Sequence, residues 1–520
     1  MHAAPHIVYN ERNMNREGDT CARSLRRRRD RRANRDGWDM ELFQQIVSLL
    51  TIANLLLAAI LIFMERRNIA ATWAWLMVLL FLPGVGFVFY LLFGQKLTRR
   101  KLYRLREGEF SRFQEAVERQ MRQLENGTLC FRDPAMRDHR DMILMNVASD
   151  AALLTQDNTV EVYTEGCSLF DALFQSIDEA RDHIHITTYI LRDDDMGGRL
   201  IRALADKARQ GVEVRLLYDA IGSSHLSTRF FRPLVKEGGQ VAAFFPSRIP
   251  YVNIWVNFRN HRKIAVIDGR TGFIGGFNVG DEYLGLHKRL GYWRDTHLKL
   301  TGSAVPMLQA RFFLDWNLSA TRRMEELPRY FPEPVAAGSV GVQIVSSGPN
   351  SEKQQIKHGY LKMIYKAKKR IFVQTPYLIP DDSLLTALKM AAMSGVDVRV
   401  MIPGRADHKL VYWASQSYIG ELLKSGVRCF RYDKGFLHAK TMVVDGEIAS
   451  VGSANLDIRS FKINFETNAF LFDTDLATQL EQIFRQDLAD CTEVTMEAYE
   501  QRPIVVRLKE SLTRLLSPIL

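Results

Sequence analysis

Two long runs near the start of the chain contain no charged residue: residues 42–64 and residues 69–94, which are 23 and 26 residues long. A helix needs about 20 apolar residues to cross the core of a bilayer, whereas buried globular helices rarely reach that length without a charge. A cleaved signal peptide fits poorly, because the first run begins far from the N-terminus and the second follows almost at once. The pattern therefore predicts a transmembrane hairpin of two helices within residues 40–95.

Beyond the hairpin the apolar positions change their period. The segment 96–150 opens with an arginine-rich, weakly amphipathic stretch, which predicts a helical linker that leaves the membrane. After it, short apolar runs typical of strands, such as 183–191 and 212–219, alternate with helical periods, such as 198–210. This alternation is typical of an α/β domain.

The same order of strands and helices occurs twice. The segment 391–403 (AAMSGVDVRVMIP) matches 207–219 (KARQGVEVRLLYD), and the segment 370–382 resembles 183–195. We therefore predict a tandem duplication. The predicted domains are residues 151–335 and 336–500. Two similar halves usually pack about a pseudo-twofold axis, which brings equivalent edges of the halves together.

The last segment, residues 501–520, places apolar side chains at helical spacing between basic ones. The apolar positions are Val505, Leu508, Leu512, Leu515 and Leu516, and the basic ones are Arg507, Lys509 and Arg514. Such an amphipathic helix suits a membrane interface. A helix packed on the preceding domain explains the pattern equally well, so both interpretations stay open.

The composition of the 520 residues, 47% hydrophobic and 25% charged, is that of a folded globular protein and excludes wholesale disorder. The five cysteines form no C-x-x-C pair, which argues against a disulfide framework and a thiolate zinc site and favours a reducing compartment. Residues 1–39 hold ten arginines against six acidic residues, and we predict them to be a disordered basic extension.

The distribution of basic residues predicts the topology of the hairpin. The connecting loop, residues 65–68, holds two basic residues, whereas residues 22–41 hold eight and residues 94–113 hold seven. Flanks rich in lysine and arginine stay in the cytoplasm. We therefore expect a multi-pass protein of the cell (inner) membrane with the two domains 151–335 and 336–500 on the cytoplasmic side. Discarding residues 1–39 still leaves seven basic residues against two.

The strongest chemical signal is a motif that occurs once in each half. Residues starting at His261 (HRKIAVIDGRTGFIGGFN) and at His438 (HAKTMVVDGEIASVGSAN) both read H-x-K-x4-D-G-x5-G-x2-N. The matching positions are His261, Lys263, Asp268 and Asn278 in the first copy and His438, Lys440, Asp445 and Asn455 in the second. Two such matches in equivalent places are not accidental.

The residue types of this motif suit a phosphate. His and Lys two apart on a strand project to the same face, and an imidazole, an ammonium and an amide together bind phosphate oxygens. The pseudo-twofold axis would set two imidazoles on opposite sides of one phosphorus, one as nucleophile and the other as proton donor. Asp268 and Asp445, the last members of each catalytic triplet, precede a glycine, where an aspartate most often stabilises its turn.

An imidazole that acts as a nucleophile needs its second nitrogen held, usually by a carboxylate. We assign this role to Asp295, which follows His261 in the strand-like run YWRDTHLKL, and to Glu466, which follows His438 in INFETNAFLF. A surface salt bridge of Asp295 is the structural alternative. Ser453 replaces Gly276 of the first copy, and either donates to a phosphate oxygen or caps a turn.

At these residues the sequence resembles the phospholipase D superfamily over nearly its whole length. Within the superfamily it is similar to bacterial cardiolipin synthases, through the segments FRNHRKIAVIDG, GFIGGFNVGDEYLG, VSSGPNSE, QTPYLIPDDSLL and GFLHAKTMVVDGEIASVGSANLDIRSFKINFE and the N-terminal hairpin. The resemblance implies two phospholipase D-like α/β-sandwich domains, a phosphatidyl-histidine intermediate, no metal or other cofactor, and condensation of two phosphatidylglycerols to cardiolipin and glycerol. By analogy with two-motif relatives, His261 is the expected nucleophile and His438 the general acid and base.

Other functions remain as alternatives. A phospholipase D-type hydrolase or transphosphatidylase acting on another phospholipid would carry the same motifs. A nuclease of the superfamily would explain the motifs but not the hairpin, so we expect phosphatidylglycerol, anionic lipids and the membrane as partners and no nucleic acid. A non-catalytic scaffold fits worst, because both motifs are complete. The sequence leaves open whether the chain forms a homo-oligomer and which second lipid it uses.

Overall fold

The computed structural model describes residues 111–246, 257–325, 327–336 and 338–517, together with residues 40–42, 44–49, 51–56, 58–59, 69–82, 86 and 90. The chain divides into two units, Met1–Gln95 and Lys96–Leu520. The predicted basic extension, residues 1–39, lies outside the described residues.

In the first unit, helix α1 spans Ile69–Phe81, and the described residues between 40 and 59 are helical. Within the described part of the chain, none of the helices has both the length and the apolar character needed to span a bilayer. The predicted spans, 42–64 and 69–94, fall partly on residues outside the described ones, and the transmembrane hairpin stays a prediction.

The second unit contains nineteen described strands in two series. The first series is β1 (Thr155–Tyr163), β2 (His183–Thr188), β3 (Glu213–Asp219), β4 (Gln240–Phe244), β5 (Ile264–Ile267), β6 (Thr271–Gly275), β7 (Tyr292–Arg294) and β8 (His297–Thr301). The second is β9 (Val340–Ser347), β10 (Arg370–Gln374), β11 (Leu378–Ile379), β12 (Asp397–Pro403), β13 (Arg428–Tyr432), β14 (Gly435–Leu437), β15 (Thr441–Val444), β16 (Ile448–Gly452), β17 (Leu456–Asp457), β18 (Glu466–Phe472) and β19 (Cys491–Val494).

Helices lie between and around these strands. They are α2 (Ser111–Glu125), α3 (Arg140–Asp150), α4 (Gly166–Glu179), α5 (Asp195–Arg209), α6 (Arg232–Lys236), α7 (Val305–Ser319), α8 (Gln355–Lys366), α9 (Asp382–Met393), α10 (Lys409–Lys424), α11 (Ile458–Lys462), α12 (Thr474–Asp487), α13 (Met496–Glu500) and α14 (Ile504–Arg514). Short 3-10 helices span Pro134–His139, Asp281–Leu284, Pro328–Tyr330 and Leu488–Asp490.

Fifteen strands form one sheet, and their order shows the duplication. The order is β19-β13-β12-β10-β15-β16-β18-β9-β1-β8-β6-β5-β2-β3-β4. Read outward from the central antiparallel pair β1–β9, the first half runs β1-β8-β6-β5-β2-β3-β4 and the second runs β9-β18-β16-β15-β10-β12-β13. The two series are equivalent strand by strand. The predicted α/β fold with two repeated domains is therefore confirmed.

Local signals also repeat between the halves. Helix α5 starts where Asp194 caps it, with its carboxylate accepting the N–H of Gly197 at 2.9 Å. Helix α9 starts the same way, with Asp381 accepting the N–H of Leu384 at 3.1 Å. A carboxylate at this position satisfies one of the N–H groups that a helix start leaves unpaired. An aspartate N-cap therefore fixes the start of equivalent helices in both halves.

The two halves share a core. One cluster of buried apolar residues takes members from both halves and from α7 and α12; it includes Ile264, Val266, Leu298, Val305, Leu308, Val342, Ile344, Val443, Val451, Ala469, Leu471, Leu476 and Leu480. Apolar burial across the seam stabilises the halves together. Helices α2 and α3, which fall in the predicted linker 96–150, pack through Leu124, Met142 and Val147 on the core of the second half.

Candidate active site

Each motif histidine lies in an extended segment that leads into a strand, and that segment pairs with the other half. His261 precedes β5, and its N–H donates to the carbonyl of Phe465 at 3.0 Å. His438 follows β14, which pairs in parallel with β7, and its N–H donates to the carbonyl of Arg294 at 2.7 Å. The backbone thus ties each histidine to the segment of the opposite half that carries an acid.

The predicted orienting acids hold the histidines, and they do so across the two halves. His261 Nδ1 lies 3.0 Å from Glu466 Oε2, and His438 Nδ1 lies 2.6 Å from Asp295 Oδ2. Each acid follows the other histidine in the sequence, so the two pairs are crossed. Glu466 and Asp295 are fully buried, which excludes the surface salt bridge considered for Asp295. With Nδ1 donating to a carboxylate, Nε2 is the nitrogen available for chemistry.

Burial shifts the pKa values of the two motif histidines. It lowers the pKa of His438 to about 4, with Lys440 adding to the effect. Burial likewise lowers the pKa of His261 below its usual value, and Lys263 and Lys440 act in the same direction. Because lysines of both motifs act on His261, the two motifs share one electrostatic environment. The lowered pKa of His261 favours the neutral imidazole, the form that a nucleophilic nitrogen requires.

The motif lysines are buried beside the histidines. Lys263 Nζ donates to the carbonyl of His261 at 2.6 Å, and Lys440 Nζ donates to the carbonyl of His438. Burial lowers the pKa of Lys263 to about 7 and that of Lys440 to about 8. An anionic phosphodiester near these amines would favour their charged form, so the lysines suit a phosphate site.

The motif aspartates do not lie with the imidazoles. Asp268 and Asp445 stand at the far ends of β5 and β15, in turns where their φ angles are 53° and 56°. The Asp268 carboxylate accepts the N–H groups of residues 181, 182 and 183, and that of Asp445 accepts those of residues 368, 369 and 370. The geometry gives both aspartates the role of fixing the start of a neighbouring strand, in line with the turn role expected for an aspartate before a glycine, and their grouping with the catalytic residues stays a prediction.

The hydroxyl of Ser453 contacts the acid and the backbone of strand β18. Its hydroxyl donates to Glu466 Oε2 at 2.5 Å and accepts the N–H of Thr467 at 3.0 Å. A hydroxyl has one hydrogen to donate, so Ser453 positions the acid that holds His261. Its assignment as a phosphate ligand stays a prediction.

The two motif asparagines make different hydrogen bonds. Asn278 Oδ1 accepts the N–H of Ile190 at 3.1 Å, whereas Asn455 Nδ2 donates to Asp457 Oδ2 at 3.1 Å. Both are buried. Their role in phosphate binding stays a prediction.

Comparison with known proteins identifies the family. The family model described as "Cardiolipin synthase, PLD-like domain" matches residues 173–290 and 360–488, and the model "Phospholipase_D-nuclease N-terminal" matches residues 52–95. The cardiolipin synthase of Listeria monocytogenes serotype 4b (strain CLIP80459) is 50% identical over 482 residues, which cover 92% of this chain and 100% of the relative. The chain belongs to the cardiolipin synthases of the phospholipase D superfamily.

Further relatives agree with this cardiolipin synthase assignment. The "Major cardiolipin synthase ClsA" of Bacillus subtilis (strain 168) is also 50% identical, with the same coverage of both chains. Among solved structures, the phosphatidylserine synthase of Haemophilus influenzae Rd KW20 aligns with 75% of this chain and 100% of its own, with a TM-score of 0.56 and 15% identity. At that identity the likeness shows the fold alone.

Sequence reasoning missed the aromatic and cationic neighbours of this cardiolipin synthase site. The ring of Tyr189 lies 4.7 Å from that of His261, and the ring of Trp293 lies 5.1 Å from that of His438. The guanidinium of Arg262 donates to the carbonyl of Glu466 at 3.2 Å and pairs with buried Asp315 at 2.7 Å. The only signal was proximity: Arg262 stands inside the first motif, and Trp293 stands two residues before an orienting acid.

Proposed function

We propose that the chain condenses two molecules of phosphatidylglycerol to cardiolipin and glycerol through a phosphatidyl-histidine intermediate. The observation that carries this proposal is the pair of buried imidazoles, His261 and His438. Each is hydrogen-bonded through Nδ1 to a carboxylate of the other half. One imidazole can bond to phosphorus while the other moves a proton. Membership of the cardiolipin synthases supports the product. Phosphatidylglycerol as the substrate and the phosphatidyl-histidine intermediate are what the resemblance to the phospholipase D superfamily implies, and the two imidazoles suit that chemistry.

In the first step, Nε2 of His261 attacks the phosphorus of one phosphatidylglycerol. The P–O bond to the headgroup glycerol breaks as the P–N bond forms, and His438 gives its Nε2 proton to the departing glycerol oxygen. The negative phosphodiester raises the pKa of the nearby imidazole, which lets His438 carry that proton despite its burial. Lys263 and Lys440 neutralise the charge on the phosphate oxygens.

In the second step, glycerol leaves and a second phosphatidylglycerol enters. His438, now neutral, takes the proton from the terminal hydroxyl of its headgroup, and that oxygen attacks the phosphorus. The new P–O bond forms as the P–N bond to His261 breaks, which yields cardiolipin and restores both histidines. The exchange replaces one phosphodiester by another, so water must be kept scarce for the lipid alcohol to compete.

We place this reaction at the cytoplasmic face of the cell membrane. The predicted hairpin and the basic residues at 94–113 support this location, as does the match of residues 52–95 to the N-terminal family model. The basic flank would also attract anionic lipids such as the substrate.

The first experiment follows the lipid products. Purified protein is incubated with labelled phosphatidylglycerol in the presence of a chelator, and the lipids are separated by thin-layer chromatography. Labelled cardiolipin with free glycerol is the expected result. Phosphatidic acid as the main product would indicate a hydrolase, and activity that vanishes with the chelator would contradict the metal-free mechanism.

A second experiment separates the roles of the histidines. A phosphatidyl ester of p-nitrophenol has a leaving group that needs no general acid, so His438→Ala should release a stoichiometric burst of p-nitrophenol and then stop. His261→Ala should give no burst. A burst with His261→Ala alone would exchange the two roles, and bursts with neither variant would contradict the covalent intermediate.

A further inference from the structure

Helix α14 lies at the C-terminal end of the second unit, with its polar side turned toward the rest of that unit. Glu510 and Thr513 are 3% and 6% exposed, and Ser517, just beyond the helix, is 4% exposed. Glu510 pairs with Arg502 at 2.9 Å, and Ser517 Oγ lies 3.0 Å from the hydroxyl of Tyr418 on α10. Polar contacts therefore attach this helix to the protein.

The apolar side of the same helix faces outward. Its exposed residues are Ile504 at 80%, Val505 at 58%, Leu508 at 59%, Leu512 at 57% and Leu515 at 77%. At 3.6 residues per turn these positions form one stripe opposite Glu510 and Thr513. A helix on the surface of a water-soluble domain normally shows the reverse arrangement. We call these five outward-facing residues, from Ile504 to Leu515, the apolar stripe.

The exposed charged residues on the helix of the apolar stripe are basic. The exposed charged side chains within the helix, Arg507 and Lys509, are both cationic, whereas its acidic residue Glu510 is buried. On the adjoining helix α10, exposed Lys409 precedes Leu410, which is 53% exposed. An apolar stripe beside cations complements the acyl chains and anionic headgroups of a bilayer surface.

Helix α10, on which α14 packs, follows a segment that acts on the active site. Lys509 lies over the ring of Trp413 on α10, with its Nζ 5.5 Å from the ring centroid. The carboxylate of Asp407, two residues before α10, acts electrostatically on the motif lysine Lys440 and accepts a hydrogen bond from Tyr377. A surface bound through α14 would therefore lie beside α10, the helix that follows Asp407.

We propose that α14 lies in the interface of an anionic bilayer, with the apolar stripe inserted between the headgroups and the second unit attached through its polar side. A second copy of the chain fits this surface less well, because Arg507 and Lys509 would meet their own equivalents across a twofold axis. The inference concerns where the second unit binds lipid, and it stands independently of the condensation reaction.

The test uses the full chain in vesicles of phosphatidylglycerol and phosphatidylcholine. Cys21, Cys130 and Cys167 are replaced by serine, and Leu512→Cys carries an environment-sensitive fluorophore. We expect a blue shift of its emission and quenching by lipids with a nitroxide near the headgroup, because an interfacial helix inserts shallowly, about 5–10 Å deep. Met393→Cys on α9, where the exposed fraction is 66% against 57% at Leu512, is the matched control and should show neither effect.

A second pair of variants tests the apolar stripe itself. Leu508→Asp in the labelled protein should reduce the lipid quenching at position 512, whereas Met390→Asp on α9, which is 51% exposed, should not. Circular dichroism and thermal melting should match the parent in both, because the two side chains are exposed.

Three results would overturn the proposal. The label at Leu512 could remain in water, with no shift and no quenching. It could shift without lipid quenching while two labelled copies exchange energy, which would indicate a second chain on the stripe. The emission could also shift with neither lipid quenching nor energy transfer, which would indicate that a segment of the same chain covers the apolar stripe. Because none of these readouts uses turnover, failure of the proposed reaction would leave them unchanged.

Discussion

At Gly276 the first half has no room for a side chain. A Cβ atom there would lie 2.0 Å from Asp295 Oδ1, the oxygen next to the one that holds His438. In the second half the equivalent position is Ser453, and its hydroxyl donates a hydrogen bond to Glu466, whose side chain is longer than that of Asp295. The differences between the motif copies are therefore coupled: glycine accompanies the aspartate and serine accompanies the glutamate.

This coupling predicts unequal effects at two equivalent positions. Gly276→Ser should displace the Asp295 carboxylate and lower kcat by 10²-fold or more, on the order expected when the group that orients a catalytic histidine is lost. Ser453→Gly removes one hydrogen bond to Glu466 and should cost only about tenfold. Steady-state kinetics on the two purified variants compare them. Equal losses would show that the clash with Asp295 does not decide the residue at 276.

A buried histidine beside the site makes stability depend on pH. Burial lowers the pKa of His297 from 6.5 to about 3. As the pH falls below about 6.5, the unfolded chain takes up a proton at this residue while the folded protein does not, so the free energy of unfolding falls until the pH approaches 3.

The matching experiment is urea unfolding of the full chain between pH 7 and pH 4. His297→Phe removes the titrating group at similar volume, so its free energy of unfolding should fall less steeply with acid, by up to about 1.4 kcal/mol per pH unit. The exposed His225→Gln is the matched control. A slope for His297→Phe identical to that of the parent would contradict the buried neutral histidine.

At the scale of elements, short pairings between the halves create the site. Strand β14 pairs with β7, and a single bridge joins Asn260 to Phe465. Both pairings are parallel. On one strand of each pairing the next residue is a motif histidine, and on the other strand, from the opposite half, the next residue is its acid. The crossed histidine–acid pairs follow directly from these two backbone contacts. The turns at Asp268 and Asp445 fix the far ends of the strands that follow the histidines.

We predict that Asp268 contributes to stability more than to chemistry. Asp268→Ala loses three accepted hydrogen bonds and places alanine at a φ of 53°, which should lower the free energy of unfolding by about 1–3 kcal/mol. Asp268→Asn tolerates the left-handed backbone and retains an acceptor, so it should lose less. Denaturant titration and kcat per folded molecule are measured on both. A large loss of kcat with unchanged stability would return Asp268 to the catalytic residues.

At the scale of the whole molecule, the pseudo-twofold sheet makes one site from two motifs. The central pair β1–β9 joins the halves, and the shared core cluster binds them into one unit. Neither half holds a complete site, because each histidine takes its acid from the other half. The halves therefore have to fold together for the site to form.

The charge asymmetry around the predicted hairpin gives an expectation for topology. A reporter enzyme fused after Leu520 should be active in the cytoplasm, because seven basic residues at 94–113 oppose two at 65–68. A fusion within residues 65–68 is the control and should report the opposite side. An external signal from the fusion after Leu520 would reverse the predicted topology.

Much of the fold and of the candidate site could be predicted from local patterns. The duplicated motif marked His261, Lys263, His438 and Lys440, and the alternation of strands and helices predicted the α/β fold. The turn position of the motif aspartates could be predicted from the glycine that follows each, but the partners of Ser453 and of these aspartates could not. Their hydrogen-bond partners depend on which segments lie beside them in the folded protein.

The sequence by itself determined the duplication, the residue types of the site and the amphipathic period of α14. Only the tertiary structure decided that the histidine–acid pairs cross the halves, over separations of 205 and 143 residues, and that α14 turns its polar side inward. The physical reason is that periodicity specifies which residues share a face of a strand or helix, whereas the partner of that face depends on long-range strand pairing and packing.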